Sequence, residues 1–157
     1  MLTVTKIKAI FFIICISCIL AGCHTTKKTT TATISDPSQL AGSWELQSIT
    51  GTPIAFDSLY PSRKPTMNFD LTNKRVSGNT GCNSFNTALN SDSGKINFNA
   101  AMPMTRMFCP GQGETVFLST LQKVNMWSIA NDASLHFMKN DTLLMKFVKQ
   151  QPVRVSN

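Results

Sequence analysis

The sequence predicts an α+β domain: a small, strongly curved antiparallel β-sheet or open β-barrel packed by one α-helix. Three observations carry that expectation. Short runs of broken apolar–polar alternation are separated by Gly, Asn, Asp and Pro, the pattern of strands joined by tight turns. One stretch, near Gln112 to Asn125, has helical spacing instead. The chain of 157 residues is 42% hydrophobic and only 15% charged, with 10 Phe and 2 Trp. That suits one packed domain and excludes a disordered polyelectrolyte or a long coiled coil.

The domain begins near Leu40. Trp44, Leu46 and Ile49 mark a first strand, and Thr50-Gly51-Thr52-Pro53 turns the chain. Residues 57 to 65 hold Pro61 and Pro65 and read as loop. Thr66 to Leu71 alternates apolar and polar; a turn at Asn73 leads to a strand over Lys74 to Gly78. Phe85 to Leu89 and Lys95 to Phe98 are further strands, separated by a turn over Asn90 to Gly94. In the helix, Val116, Phe117, Leu118, Leu121 and Val124 share one face, and Glu114 in the first turn suits the helix dipole. Met126 to Ile129, Ser134 to Met138 and Leu143 to Val148 close the domain, the last two as a hairpin around Asn140-Asp141.

Ahead of the domain, Lys6 and Lys8 precede an apolar run from Ala9 to Ala21. As a helix it reaches about 20 Å, short of a hydrocarbon core of about 30 Å, so 1–22 reads as a signal peptide. Leu20-Ala21-Gly22-Cys23 resembles a bacterial lipobox. Small residues there admit a peptidase, and the Cys23 thiolate takes a diacylglycerol thioether. Each buried CH₂ contributes about 0.8 kcal/mol, so two or three acyl chains hold stably to a membrane. Residues 23–38 read as the lipidated Cys and a Thr-rich flexible tether, roughly 20 Å end to end. No Asp follows Cys23 and no acidic run stands near it. The expected place is therefore the periplasmic leaflet of the outer membrane. The domain fills 39–150, with a tail over 151–157.

Lys and Arg total 15 against 8 Asp and Glu, a net charge of +7. The excess is scattered over Lys27-Lys28, Arg63-Lys64, Lys74-Arg75, Lys146, Lys149 and Arg154, which reads as a solvated positive surface. Non-specific attraction to anionic lipid is the alternative. Nucleic acid is not expected of an exported protein. Of 5 Cys, Cys15 and Cys18 leave with the signal peptide and Cys23 is lipidated. Cys82 and Cys109 remain as an even pair in an oxidising compartment. A bridge between them would contribute about 3.5 kcal/mol on the chain-entropy model; free buried thiols are the alternative.

No nucleophile elbow, zinc-protease motif or phosphate loop occurs. Of 2 His, His24 lies in the tether and His136 sits between Leu135 and Phe137, where it reads as a strand residue rather than a metal ligand. Met102, Met104 and Met107 read as core packing, with copper-binding thioethers as the alternative. Alternation places Met102 and Met104 on one face and Met107 on the other. No catalytic residue, metal or cofactor is expected, and the chain reads as a monomer.

Two segments are more specific than the rest: Gly78-Asn79-Thr80-Gly81-Cys82-Asn83-Ser84-Phe85, and Met104-Thr105-Arg106-Met107-Phe108-Cys109-Pro110 followed by Glu114, Phe117 and Leu118. With Gly42-Ser43-Trp44 early and Leu135, Leu144 and Phe147 late, they resemble the META domain (HslJ-like) family over about residues 39–149. One departure stands at Thr87 and Leu89, where the family often has Gly and then an aromatic; the turn and pairing there stay open. The resemblance implies a non-enzymatic envelope protein linked to stress response or heat shock, with an envelope protein as partner. It brings no catalytic residues.

The signature residues read as structural. Gly78 and Gly81 suit turns or close backbone approach. Asn83 holds a bend through local hydrogen bonds. Arg106 lies in a largely apolar run; pointing inward it needs Glu114 or Glu45 as partner, and on an open face it would bind an anion. Gly81, Asn83, Phe85, Thr105, Arg106, Met107 and Glu114 form the expected structural set. A competing function is an apolar or lipid-tail ligand held by the curved sheet, by analogy of shape with pilot lipoproteins.

Overall fold

The computed structural model describes residues 35–151. The expected signal peptide over 1–22, the expected lipid anchor at Cys23, the expected tether up to residue 34 and the expected tail from residue 152 lie outside the described residues. The last residues assigned to the tether are ordered: Ser35 is buried and its hydroxyl donates to the Trp127 carbonyl. Asp36 caps a 3₁₀ turn over Pro37–Leu40 by accepting from the Ser38 amide at 2.9 Å.

The strands are β1 (Gly42–Ile49), β2 (Thr66–Asp70), β3 (Arg75–Asn79), β4 (Ser84–Ala88), β5 (Asn90–Asp92), β6 (Lys95–Asn97), β7 (Met126–Ile129), β8 (Leu135–Lys139) and β9 (Thr142–Lys149). They form one antiparallel sheet in the order β4-β3-β2-β1-β9-β8-β7-β6-β5. Helix α1 is a single turn, Phe56–Leu59, and α2 spans Gly113–Leu121. The α component is thus smaller than the sequence suggests, and the sheet is correspondingly larger.

The first and last strands lie side by side at the centre of the sheet. Leu46 opposes Phe147, but Ser48 opposes Lys146, so Gln47 is an extra, bulged residue. The bulge resets the alternation, which is why Trp44, Leu46 and Ile49 are all buried at uneven spacing. The two edge strands, β4 and β5, are consecutive in the chain and joined by Leu89 alone. Their ends, Ala88 and Asn90, are therefore within about 7 Å of each other. A nine-stranded sheet whose edges meet at one corner must curl almost into a barrel.

Away from that corner the edge of β4 is covered by an irregular strap. Phe85 bridges to Met104, the Asn86 amide donates to the Pro103 carbonyl, and the Thr105 amide donates to the Ser84 carbonyl. Thr87, at the departure from the family pattern, is buried and donates to the Ala101 carbonyl at 3.1 Å. Helix α2 packs Phe117 and Leu121 into the sheet, with Phe117 tilted against Phe85 at 6.2 Å between ring centroids. Trp44, Met67, Phe137, Met145 and Phe147 fill the centre.

Three local expectations differ from the structure. Asn90 to Asp92 forms strand β5, because Ser93 and Gly94 supply the turn at φ 25° and 88°. The 57–65 loop begins inside α1, where the Phe56 ring packs at 5.1 Å against that of Tyr60, just past the helix end. Helix α2 stops at Leu121, and Val124 is buried from the following turn rather than from the helix.

Candidate functional site

The two signature segments meet at the junction of the β3–β4 turn, the strap and the start of α2. Gly81 turns the chain at φ 93°, and a Cβ there would lie 2.9 Å from the Tyr60 ring. Gly78 is needed for a different reason: a Cβ would sit 2.0 Å from the Thr66 carbonyl oxygen on the paired strand. Gly113 meets the same constraint at the helix start, where a Cβ would be 2.5 Å from the Leu59 carbonyl. The Tyr60 hydroxyl donates to the Gly113 carbonyl at 2.9 Å. Burial pushes its ionisation up to about 12.

Asn83 is the hub, 2% exposed. Its Nδ2 donates to Glu114 Oε2 at 3.1 Å and to the Met107 carbonyl at 3.1 Å. Its Oδ1 accepts from the Met107 amide at 2.7 Å and from Thr105 Oγ1 at 2.8 Å. That uses both amide protons and both lone pairs of the carboxamide. The Thr80 hydroxyl donates to Glu114 Oε2 and accepts from the Asn83 amide. Thr105 Oγ1 also accepts from the Ser84 amide at 3.1 Å. The disulfide Cys82–Cys109, with Cα atoms 6.1 Å apart, closes the same loop.

The structure therefore brings together Gly81, Cys82, Asn83, Phe85, Thr105, Met107, Cys109 and Glu114 from the expected set. Arg106 is the exception. Its side chain is exposed, and Glu114 is engaged by Asn83 and Thr80 instead. Glu45, the other candidate partner, accepts from Gln150 at 3.3 Å. An inward arginine is thus corrected to an outward one, because two neutral donors satisfy the carboxylate without burying a second charge. Met107 is corrected as well. Met102 and Met104 pack on the core, but Met107 is 61% exposed and held by its backbone. Thr80, Tyr60 and Gly113 had no assigned role in the sequence. The clue available was the single Tyr, placed just before a Pro and between two glycine-bearing segments.

Two hollows flank the junction. One, about 410 Å³, is lined by Tyr60, Arg63, Gly81, Met107, Phe108 and Glu114 among others. The other, about 590 Å³, lies between the strap and α2 and is lined by Phe98, Met102, Met104, Leu118, Leu121 and Gln122 among others. It opens at the surface, while the interior of the sheet is filled by side chains.

At the other end of the sheet, Asp132, Ser134 and His136 form a serine–histidine–carboxylate cluster of the wrong order for catalysis. Ser134 Oγ donates to Asp132 Oδ1 at 2.5 Å and lies 3.0 Å from His136 Nε2. A catalytic arrangement places the imidazole between hydroxyl and carboxylate. Here the buried hydroxyl stands between them and braces the β7–β8 turn. Lys146 holds Asp132 at 2.8 Å, which together with the Ser134 bonds keeps its carboxyl well below the usual range. Burial lowers His136, against the opposing pull of Asp132. Among the described residues no three His, Cys, Asp or Glu gather as a metal site would require.

Fold and junction define a curved antiparallel sheet domain whose most specific side chains brace a disulfide-closed loop. The chain belongs to the META domain family, whose sequence pattern matches residues 38–152. That family is not a known catalytic one. The fold is similar to an NMR structure of a protein from Burkholderia xenovorans, with a TM-score of 0.56 at 18% identity over 82% of this chain and 98% of that one. No curated protein matches the chain.

Proposed function

We propose that this protein is a non-catalytic envelope lipoprotein, anchored through Cys23 in the outer membrane and facing the periplasm. Its META domain supports other envelope proteins, or the envelope under stress. The observation carrying this reading is the Asn83 junction: its polar side chains are consumed in holding a loop, alongside a disulfide suited to an oxidising compartment. Replacing Cys23 with Ala is expected to move the chain from the membrane fraction to the soluble one. A variant that stays wholly membrane-bound overturns the anchor. Crosslinking in intact envelopes then tests for a protein partner.

A second reading rests on the 590 Å³ hollow between strap and helix. Its Met, Leu and Phe lining suits an apolar ligand such as an acyl chain. Native mass spectrometry of the exported chain distinguishes the two. Extra mass lost on denaturation favours a ligand; a bare mass favours a protein partner.

A further inference from the structure

Met107 and Phe108 are the exposed large hydrophobic residues among those described, Phe108 at 94%. They are not on a slack loop. The Met107 amide and carbonyl are both bonded to the Asn83 side chain, and Cys109 is tied to Cys82. The fold thus fixes the backbone that presents two apolar side chains to solvent, so little freedom is left to lose on contact. Arg106 precedes them and is exposed; Arg63, also exposed, lines the same hollow, with exposed Lys64 next to it in the chain. The carboxylate lining that hollow, Glu114, is engaged by Asn83 and Thr80.

We infer that this loop tip is a membrane-contact element, with Phe108 and Met107 entering the interfacial region of an anionic lipid surface and Arg106 and Arg63 pairing with its headgroups. A protein interface of ordinary size buries about 800 Å² per partner around an apolar core. Here the large hydrophobic side chains that stand exposed among the described residues are two neighbours, with Arg106 before them in the chain and Arg63 lining the same hollow. A lipid interface asks for no matching shape, favours aromatic rings at headgroup depth and attracts Arg through its negative potential. One such tip is weak alone and acts when the domain is already held at a bilayer. To that extent the inference rests on the proposed Cys23 anchor.

The test uses the full chain carrying Phe108→Trp, reconstituted into phosphatidylcholine vesicles with and without phosphatidylglycerol. Trp44 and Trp127 are buried, so the difference from the parent chain reports position 108. The expected result is a blue shift and quenching by brominated acyl chains, stronger with phosphatidylglycerol and weakened by Arg63→Glu with Arg106→Glu. Met107→Trp gives the same readout should the first variant fold poorly. Flotation of the same vesicles reads the anchor. Flotation with an unquenched, water-exposed indole overturns the contact and leaves the anchor standing. A chain that does not float fails the anchor and overturns the contact with it. Quenching that ignores lipid charge overturns the role of the arginines, and with it the proposal.

Discussion

The Asn83 carboxamide and the Glu114 carboxylate face each other across the seam between sheet and helix, with Nδ2 3.1 Å from Oε2. One side chain from each signature segment region is thereby locked to the other. Removing the carboxamide leaves the Met107 backbone groups and Thr105 without their partner.

Asn83→Ala is therefore expected to cost about 2–4 kcal/mol, since an unmade buried hydrogen bond costs about 1–3 kcal/mol and several are lost together. Asn83→Asp tests the charge. A second carboxylate beside Glu114 disfavours ionisation of the pair in the folded state, so the native variant binds more protons than the unfolded one. Its stability falls as pH rises and recovers toward acid. Urea unfolding across pH 4 to 8 checks this; an Asn83→Asp deficit that does not shrink in acid contradicts the contact.

The disulfide carries a separate prediction. Replacing Cys82 and Cys109 with Ser is expected to lower stability by about 3.5 kcal/mol, and reductant should bring the native chain to a similar level. Equal denaturation midpoints with and without reductant would remove the bridge from the account.

Tyr60 is the only tyrosine in the chain, so ultraviolet absorbance titrates it alone. In the folded protein phenolate should appear near pH 12 rather than near the ordinary value of about 10. Between those values the unfolded chain loses the proton first, so stability falls as pH rises through that window and is unaffected below it. A midpoint at the ordinary value, with the fold intact, would mean that the ring is not buried against Gly81 and Gly113.

The two tryptophans should respond differently to the same change. Trp44 Nε1 donates to the Leu40 carbonyl at 2.8 Å, whereas Trp127 Nε1, also buried, has no partner among the described residues. Both substitutions to Phe leave a similar void. Trp44→Phe also strands a carbonyl, and is expected to cost about 1–3 kcal/mol more than Trp127→Phe. Thermal unfolding of the two variants decides it, and equal losses would count against the Leu40 bond.

Strands, turns and the principal helix were legible because Trp44, Phe69 and Phe147 repeat the in–out pattern of a half-buried sheet. The bulge at Gln47 and strand β5 were not, because both depend on what lies opposite. Asn90-Ser91-Asp92 has turn composition and becomes a strand only by pairing with β6. Within the junction, Gly81, Asn83 and the cysteine pair could be read from residue type. Arg106 misled because charge within an apolar run suggests burial, when the run itself leaves the core at Met107. The hydrogen-bond capacity of Thr80 shows only once Glu114 is placed beside it.

Pairing β1 with β9 joins residues more than a hundred positions apart, such as Leu46 and Phe147. The central ladder of the sheet cannot begin until the last strand has left the ribosome. Contacts between chain ends carry the largest loop-closure cost, which places this topology among slow folders. The local ladders, β2–β3, β3–β4 and β7–β8, can form earlier, but the two halves of the sheet join only through β1 and β9. A chain cut before Thr142 would lack β9 and leave β1 with one side unpaired, an open edge on which a second chain could add a strand.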